Sequence, residues 1–186
     1  MGAIDRAWLG PLAAAQVGRS WTEPGRDAEL LIAAQGGERE ALFALLRAHR
    51  SELWRICLAL TLDPERAERL HLETLVRAAK HVRAAPADAP VLHWLARLAA
   101  HLAVAWSRHE PAPGAAGRAW AASAGADPRF AASLARCPEP DRLLLALAVV
   151  ERLSYADVAR VTRRETQDVL RQLTRLRARL AGETSA

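Results

Sequence analysis

Apolar residues recur at spacings of three and four along most of the chain, the period that places them on one face of a helix. The clearest run predicts a single helix from Glu38 to about Leu60. Asp63 can cap the next helix, and Pro64 suits its first position because the fixed φ of proline is already helical. That helix is predicted to continue to Val82.

Two further helices complete this part of the chain. Asp27 is predicted to cap a short helix running to Gln35, and Gly36-Gly37 favours its end because glycine readily adopts positive φ. Pro90 is predicted to open a helix with a broad apolar stripe that ends near His109. The four helices predict one small helical domain over 27–109.

The segment 110–128 is rich in Ala, Gly and Pro and has no sustained periodicity, which predicts a linker. Residues 1–26 are predicted to be an N-terminal extension. Beyond the linker, 129–182 is predicted to form a second helical domain. Its predicted helices cover about 129–136, 140–151, 155–161 and 166–180.

Composition supports an all-α protein with two small domains. Hydrophobic residues make up 51% of the 186 residues, but Ala, Leu and Val dominate and there are only one Tyr and two Phe. The chain therefore has few of the residues that favour β-strands. No run approaches the roughly 18 to 20 uncharged apolar residues that a membrane helix needs, which predicts a cytoplasmic protein without membrane insertion. The net charge is +5, of which +3 lies in 134–186, and this favours a nucleic-acid partner there.

Catalytic and metal-binding signals are weak. The chain has no GxSxG, P-loop, GxGxxG or HExxH motif, which makes an enzyme the least favoured class. His93, His101 and His109 recur at intervals of eight, a spacing that drifts around a helix and predicts no metal site. Cys57 and Cys137 stand outside any metal-binding motif and are predicted to be reduced and structural. No cofactor is predicted.

The C-terminal region has the plan of a helix-turn-helix. Ser154 and Asp157 form a capping-box-like start for a helix of about two turns, and a turn follows at 162–165. The last helix then repeats apolar residues at spacings of four, three and four. They are Val169, Leu173, Leu176 and Leu180.

The opposite face of this last helix carries long hydrogen-bond donors that can reach phosphates or base edges in a major groove. The predicted DNA-binding residues are Arg164, Gln167, Arg171, Gln172 and Arg175. From charge alone, an Arg-rich solvated face on an ordinary amphipathic helix is an equally good interpretation. The pairing of a short helix, a turn and a long helix favours DNA binding.

Residues 153–180, LSYADVARVTRRETQDVLRQLTRLRARL, resemble without gaps the C-terminal domain of extracytoplasmic-function RNA polymerase sigma factors. Upstream, Leu134, Pro138 and Arg142 resemble the entry to that domain. The segments DAELLIAAQGGEREALFALLRAH, DPERAERLHLETLVRA and VLHWLARLAAHLAVAWSR resemble the family's opening helices, polymerase-binding segment and promoter-melting helix.

This resemblance implies a bacterial alternative sigma factor with a domain 2-like and a domain 4-like unit. It implies core RNA polymerase, promoter DNA and an anti-sigma factor as partners. By position, the implied polymerase-binding residues are Arg69, Leu72 and Glu73. Those implied near the minus-ten strand are Arg97, His101 and Arg108, while the recognition helix would read the minus-thirty-five element.

The chain departs from the family pattern at several contact positions. Arg69 replaces an acidic residue, Leu72 replaces Gln, and Ala100, His101 and Ala105 replace polar residues of the promoter-melting helix. In the second domain, Arg163 replaces a turn Gly, Asp168 replaces Thr and Leu170 replaces Lys. These departures motivate a second hypothesis, a sigma-like decoy or adaptor that binds a sigma regulator or polymerase without reading promoters.

Overall fold

A computed structural model of the chain describes residues 24–107, 136–145, 147–148 and 153–185. Within these ranges the structure is helical and contains no strand, which confirms the prediction of an all-α protein. The N-terminal helices are α1 (Pro24–Gln35), α2 (Arg39–Ala48), α3 (Arg50–Thr61), α4 (Pro64–His81) and α5 (Val91–Ser107), with a 3-10 turn at Val82–Ala84. The C-terminal helices are α6 (Glu139–Leu145), α7 (Tyr155–Thr162) and α8 (Thr166–Ser185).

Local capping sets several helix ends as the sequence predicts. The Asp63 carboxylate accepts hydrogen bonds from the backbone N–H groups of Glu65 and Arg66 at 2.9 and 3.1 Å, which satisfies two unpaired donors at the start of α4. Gly37 ends α1 with a φ of 104°, a conformation that side chains disfavour. The fourth predicted helix begins at Val91, directly after Pro90.

The predicted helix over 38–60 is wrong in one respect, because the structure divides it into α2 and α3 at His49. This residue has φ −101° and ψ 9°, outside the helical region, and its Nε2 lies 2.8 Å from Oδ2 of Asp27. Asp27 therefore does not cap α1, which already begins at Pro24, and it binds His49 across the α1–α2 pair instead. The apolar spacing continues through the break, so the pattern alone gives no sign of it.

The hydrophobic core runs continuously from the N-terminal to the C-terminal helices. Leu53, Leu70 and Leu95 are fully buried on one side, and Leu144 and Leu173 on the other. Trp94 is buried, and Trp54 is half-buried and packs against the core. No described helix is long and apolar enough to cross a membrane.

The two sets of helices pack directly against each other, α5 on α7 and α3 on α6. The extension, the linker and the helix predicted near 129–136 lie almost wholly outside the described residues, and so does the end of the helix predicted for 140–151. The division into domains at 110–128 therefore stays a prediction.

Candidate nucleic-acid interface

The helix-turn-helix predicted near the C-terminus is present as α7, a short turn and α8. Ser154 caps α7, and its Oγ accepts a hydrogen bond from the backbone N–H of Asp157 at 3.1 Å. The Asp157 carboxylate differs from a full capping box, because it accepts from the Ser154 hydroxyl at 2.7 Å and from Arg160 Nη1 at 2.9 Å. The cap fixes where α7 starts and therefore where the turn presents α8.

Arg163 occupies the left-handed position in the turn, with φ 55° and ψ 45°. The backbone N–H of the next residue, Arg164, donates to the carbonyl of Ala159 at 3.0 Å, which closes the end of α7. The sequence predicts strain at Arg163 from the family's glycine there, and the structure confirms the positive φ.

The recognition helix α8 separates its residues by face as the sequence predicts. Val169, Leu173, Leu176 and Leu180 are buried against the other C-terminal helices. On the other side the side chains of Arg164, Gln167, Arg171 and Arg175 are exposed and lie within three turns of the helix start. They form the recognition face, and Leu170 adds an exposed apolar side chain to it.

Gln172 does not share this arrangement. Its Nε2 donates to Oδ1 of Asp141 on α6 at 2.9 Å, and the side chain is half-buried. The amide therefore holds α8 against α6, in contrast to the four exposed donors.

The charge of the recognition face is reduced by an internal ion pair. Asp168, in the first turn of α8, binds Arg171 three residues later. Arg175 has no carboxylate partner among the described residues. Its guanidinium is therefore the one on α8, beyond the first turn, that is most available to bind a ligand. Arg177, by contrast, donates to the Tyr155 hydroxyl at 3.2 Å and stabilises the contact between α7 and α8.

The predicted minus-ten residues lie on α5, where Arg97 is half-buried and His101 is exposed. Arg108 lies outside the described residues. Arg97 and His101 line a cleft between the N-terminal and C-terminal helices together with Arg163 of the helix-turn-helix. The structure thus brings the two predicted DNA-contacting regions to one place, which the sequence did not predict.

The predicted polymerase-binding residues lie on α4. The guanidinium carbon of Arg69 sits 5.6 Å from the centre of the Trp106 ring on α5, a cation–π distance. Glu73 pairs with Arg77 at 3.8 Å, so part of its charge is already compensated. The charge reversal at Arg69 therefore has a local role, which is to cover a tryptophan at the end of the predicted promoter-melting helix.

Leu72 is 53% exposed, and Val76, one turn further along α4, is 54% exposed. The two form a short apolar ridge beside Glu73. Sequence reasoning singled out Leu72 but missed Val76, although the spacing of four residues outside the buried stripe was a usable signal.

Arg142 makes a buried contact between the two sets of helices. It is 6% exposed, and its Nε donates to the carbonyl of Leu60 at 3.0 Å while Nη1 donates to the carbonyl of Cys137 at 2.7 Å. Leu60 belongs to the last turn of α3, where backbone carbonyls lack helical partners. A guanidinium from α6 therefore completes the end of α3.

His93 lies in the same contact region, at the start of α5. It is 7% exposed, its Nδ1 has no hydrogen-bond partner, and Asp157 and Arg160 of α7 are its charged neighbours. Burial lowers the pKa of His93, with Asp157 opposing and Arg160 adding to this effect. The neutral imidazole is therefore favoured in the folded protein, and protonating His93 there costs free energy.

Both cysteines are buried free thiols, in keeping with the predicted structural role. Burial raises the pKa of the Cys57 thiol to about 12, which makes its thiolate inaccessible at neutral pH. Burial also raises the pKa of Cys137, although Arg179 opposes this with its Nη2 at 3.0 Å from the sulfur. The described residues contain no group of three or more His, Cys, Asp or Glu side chains arranged to hold a metal ion.

Comparison with solved structures shows which fold this is. The chain is similar to CnrH, solved in complex with the cytosolic domain of CnrY, with a TM-score of 0.71 and 20% identity over 86% of this chain and 97% of that chain. It is also similar to the sigma factor RpoE from Bartonella quintana, solved in complex with the anti-sigma factor NepR, with a TM-score of 0.58 and 18% identity over 80% of this chain and 96% of that chain.

No family model and no curated protein sequence matches the chain. The structural matches therefore show the fold alone, and it is the helical fold of CnrH and of the sigma factor RpoE. This confirms the predicted resemblance at the level of architecture.

Proposed function

We propose that the chain is an alternative sigma factor, a non-enzymatic subunit that binds core RNA polymerase and directs promoter-specific initiation. The observation that carries the proposal is the recognition face of Arg164, Gln167, Arg171 and Arg175, exposed at the start of a helix within a sigma-factor fold. Exposed guanidinium and amide groups at such a position reach phosphates and base edges when the helix enters a major groove.

The other elements take their roles from the resemblance. Helix α4, with Leu72 and Val76 exposed beside Glu73, would dock on polymerase, and α5 with Arg97 and His101 would contact the minus-ten strand. Helix α8 would read the minus-thirty-five element. Gln172 is better assigned to positioning α8 through Asp141 than to contacting DNA.

The contact between the two sets of helices implies a resting state. Elements centred near positions minus-ten and minus-thirty-five are about 25 base pairs apart, or roughly 85 Å along B-form DNA at about 3.4 Å per step. Arg97 and Arg163 line one small cleft, so the two sets of helices must separate before each reaches its element. Polymerase binding would supply the free energy for that separation.

The direct test is run-off transcription with core polymerase and the purified full chain on the promoter upstream of its own gene, together with gel filtration of the protein with core. We expect co-elution and a specific transcript that requires the chain. Failure both to bind core and to retard promoter DNA would overturn the proposal.

Variants of α8 sharpen the test of DNA recognition. Arg175→Ala removes an exposed guanidinium and should weaken binding to a duplex minus-thirty-five element by roughly 1 to 3 kcal/mol. Asp168→Asn removes a negative charge near the phosphates and releases Arg171, so it should strengthen binding by roughly two- to fivefold. Arg47→Ala, which changes an exposed arginine of α2 away from this face, is the matched control. Equal DNA affinities for all three variants would show that the recognition face is not the DNA-binding surface.

A second candidate function is a sigma-like decoy that binds a sigma regulator without reading promoters. Two observations favour it: the matched structures of CnrH and RpoE are complexes with CnrY and with the anti-sigma factor NepR, and Asp168 occupies Arg171 on the recognition face. Tight binding to a small anti-sigma-like protein with no transcript and no core binding would select the decoy. Specific initiation would exclude it.

A further inference from the structure

Most of the residues that line the cleft between the N-terminal and C-terminal helices are apolar. Its walls include Leu60 of α3, Ala100 of α5, Leu143 of α6 and Val161 of α7, and its volume is about 150 Å³. An apolar cavity of roughly this size is large enough to hold a benzene ring in other proteins. Four helices from both parts of the fold thus line a space large enough for one small apolar group.

The ionisable groups that line this cleft are all basic. Arg97 is half-buried on α5, His101 is exposed one turn further along the same helix, and Arg163 is held by the left-handed turn. Neither guanidinium has a carboxylate partner in the part of the chain that the structure describes, and no acidic residue lines the cleft. A bound carboxylate would give these guanidinium groups a partner of opposite charge, and charge-assisted hydrogen bonds of this kind are among the strong ones in proteins.

From the apolar and the basic residues that line it together, we propose that the cleft binds a small apolar carboxylate of the size of benzoate. The ring fills the space between Leu60, Leu143 and Val161, and the carboxylate pairs with Arg97 and Arg163. Cationic and neutral ligands fit less well. A cation would be repelled by the two arginines, and a neutral ring would leave both guanidinium groups without a partner of opposite charge.

Such a ligand would stabilise the closed arrangement, because its binding site exists only when α5 and α7 are together. A carboxylate of this kind would therefore oppose separation of the two sets of helices and reduce promoter binding. This consequence rests on the proposed function, whereas the binding itself does not.

The binding test is calorimetric titration of benzoate into the full chain, without polymerase or DNA. We expect one site with a dissociation constant on the order of 0.1 to 1 mM, and benzamide, which keeps the ring and lacks the charge, should bind at least about tenfold more weakly. Arg97→Gln should weaken benzoate binding by roughly tenfold. Arg164→Gln is the matched control, since Arg164 adjoins Arg163 without lining the cleft, and it should leave the affinity unchanged.

A steric variant gives an independent check. Val104 lines the cleft and is 39% exposed, so Val104→Phe can fill the space with little cost to folding and should abolish benzoate binding. Val76→Phe on α4 is the matched control, because it adds the same ring to an exposed valine outside the cleft and should bind benzoate like the parent.

Three results would each overturn the site: no saturable heat up to about 10 mM benzoate, equal binding of benzamide, or full binding by Val104→Phe. A second experiment measures how much promoter DNA each protein binds with and without saturating benzoate. Benzoate should reduce the amount bound by the parent and should leave the amount bound by Val104→Phe unchanged. If benzoate binds and the chain retains no promoter DNA under any condition, the site stands and the proposed function fails.

Discussion

At the scale of single residues, two side chains occupy backbone conformations that glycine prefers. Leu62 and Arg163 both have a φ of 55°. Leu62 is 1% exposed, so the burial of its side chain, worth roughly 2 kcal/mol, exceeds a backbone strain of roughly 1 kcal/mol. Arg163 is exposed and gains no such burial, which makes its strain a net cost to stability.

Arg163→Gly should therefore raise the free energy of unfolding by roughly 1 kcal/mol, since glycine adopts the same φ without a steric penalty. Urea denaturation followed by circular dichroism measures the change. Arg163→Ala is the control: it removes the guanidinium and keeps the Cβ, so it should give no gain. A gain in the alanine variant would place the cost in charge repulsion instead of the backbone.

Two buried histidines make stability depend on pH. Burial lowers the pKa of His71, which stacks edge-on against Trp54, and burial likewise lowers the pKa of His93. For a histidine buried in its neutral form, the stabilisation is complete above the unfolded pKa of about 6.5 and declines as pH falls below it. The contribution is lost progressively down to the lowered pKa of the folded state.

We expect the free energy of unfolding to fall between pH 7 and pH 5, and His93→Gln to lose part of that dependence because its amide does not titrate. Urea titrations at several pH values provide the measurement. His101→Gln, on an exposed side chain of the same helix, is the matched control. A pH profile of His93→Gln identical to that of the parent would refute the role of His93.

At the scale of elements, α6 holds together parts of the fold that are distant in sequence. Its Asp141 and Arg142 are adjacent, oppositely charged and both buried, at 8% and 6% exposure. Asp141 accepts from Gln172 on α8 and lies 3.9 Å from Arg179, while Arg142 reaches the end of α3. A helix of seven residues thus fixes the recognition helix on one side and the N-terminal helices on the other.

Asp141→Ala should lower the free energy of unfolding by about 1 to 3 kcal/mol, because it leaves the half-buried Gln172 amide without its acceptor. Asp141→Asn keeps a carbonyl oxygen at the same place and should cost less than half as much. Chemical denaturation of both variants tests this. Equal losses would show that the charge toward Arg179, and not the hydrogen bond to Gln172, carries the stabilisation.

The helix boundaries differ in whether residues near in sequence or distant in sequence set them. The starts of α4 and α7 follow from Asp63 and Ser154, whose bonds to the backbone span two or three residues. The break at His49 does not follow from neighbouring residues, because the hydrogen-bond partner of His49 is Asp27, which lies 22 residues away. Periodicity detects that a segment is helical and cannot detect that a distant carboxylate interrupts it.

In the molecule as a whole, the contact between the two sets of helices is the feature that the proposed function would have to change. Contacts between domains generally permit relative motion unless they are large and hydrophobic. Here the hydrophobic core continues across the contact, and the Arg142 guanidinium adds charge-assisted hydrogen bonds to it. Separation therefore requires a partner that replaces these interactions.

Arg142→Ala should favour the separated state, because it leaves the carbonyls of Leu60 and Cys137 without this donor. Small-angle X-ray scattering should show a larger radius of gyration than for the parent, with unchanged helix content by circular dichroism. Arg142→Lys keeps the charge and loses the planar two-donor geometry, so it should give an intermediate value. An unchanged radius of gyration together with a lower free energy of unfolding would show that Arg142 stabilises only the packing of the C-terminal helices.

Sequence pattern alone is sufficient to predict the all-α class and the helix-turn-helix with its buried and exposed faces. Each of these follows from caps and periodicities that operate within a few residues. Three contacts, in contrast, depend on the packing of distant segments: Gln172 binds Asp141, Arg142 reaches Leu60, and Arg97 and Arg163 share a cleft. The first two contacts join residues 31 and 82 positions apart, and the third brings together α5 and the turn between α7 and α8, whose arginines are separated by 66 positions. Such partners are selected by packing of the whole chain, which no local pattern encodes.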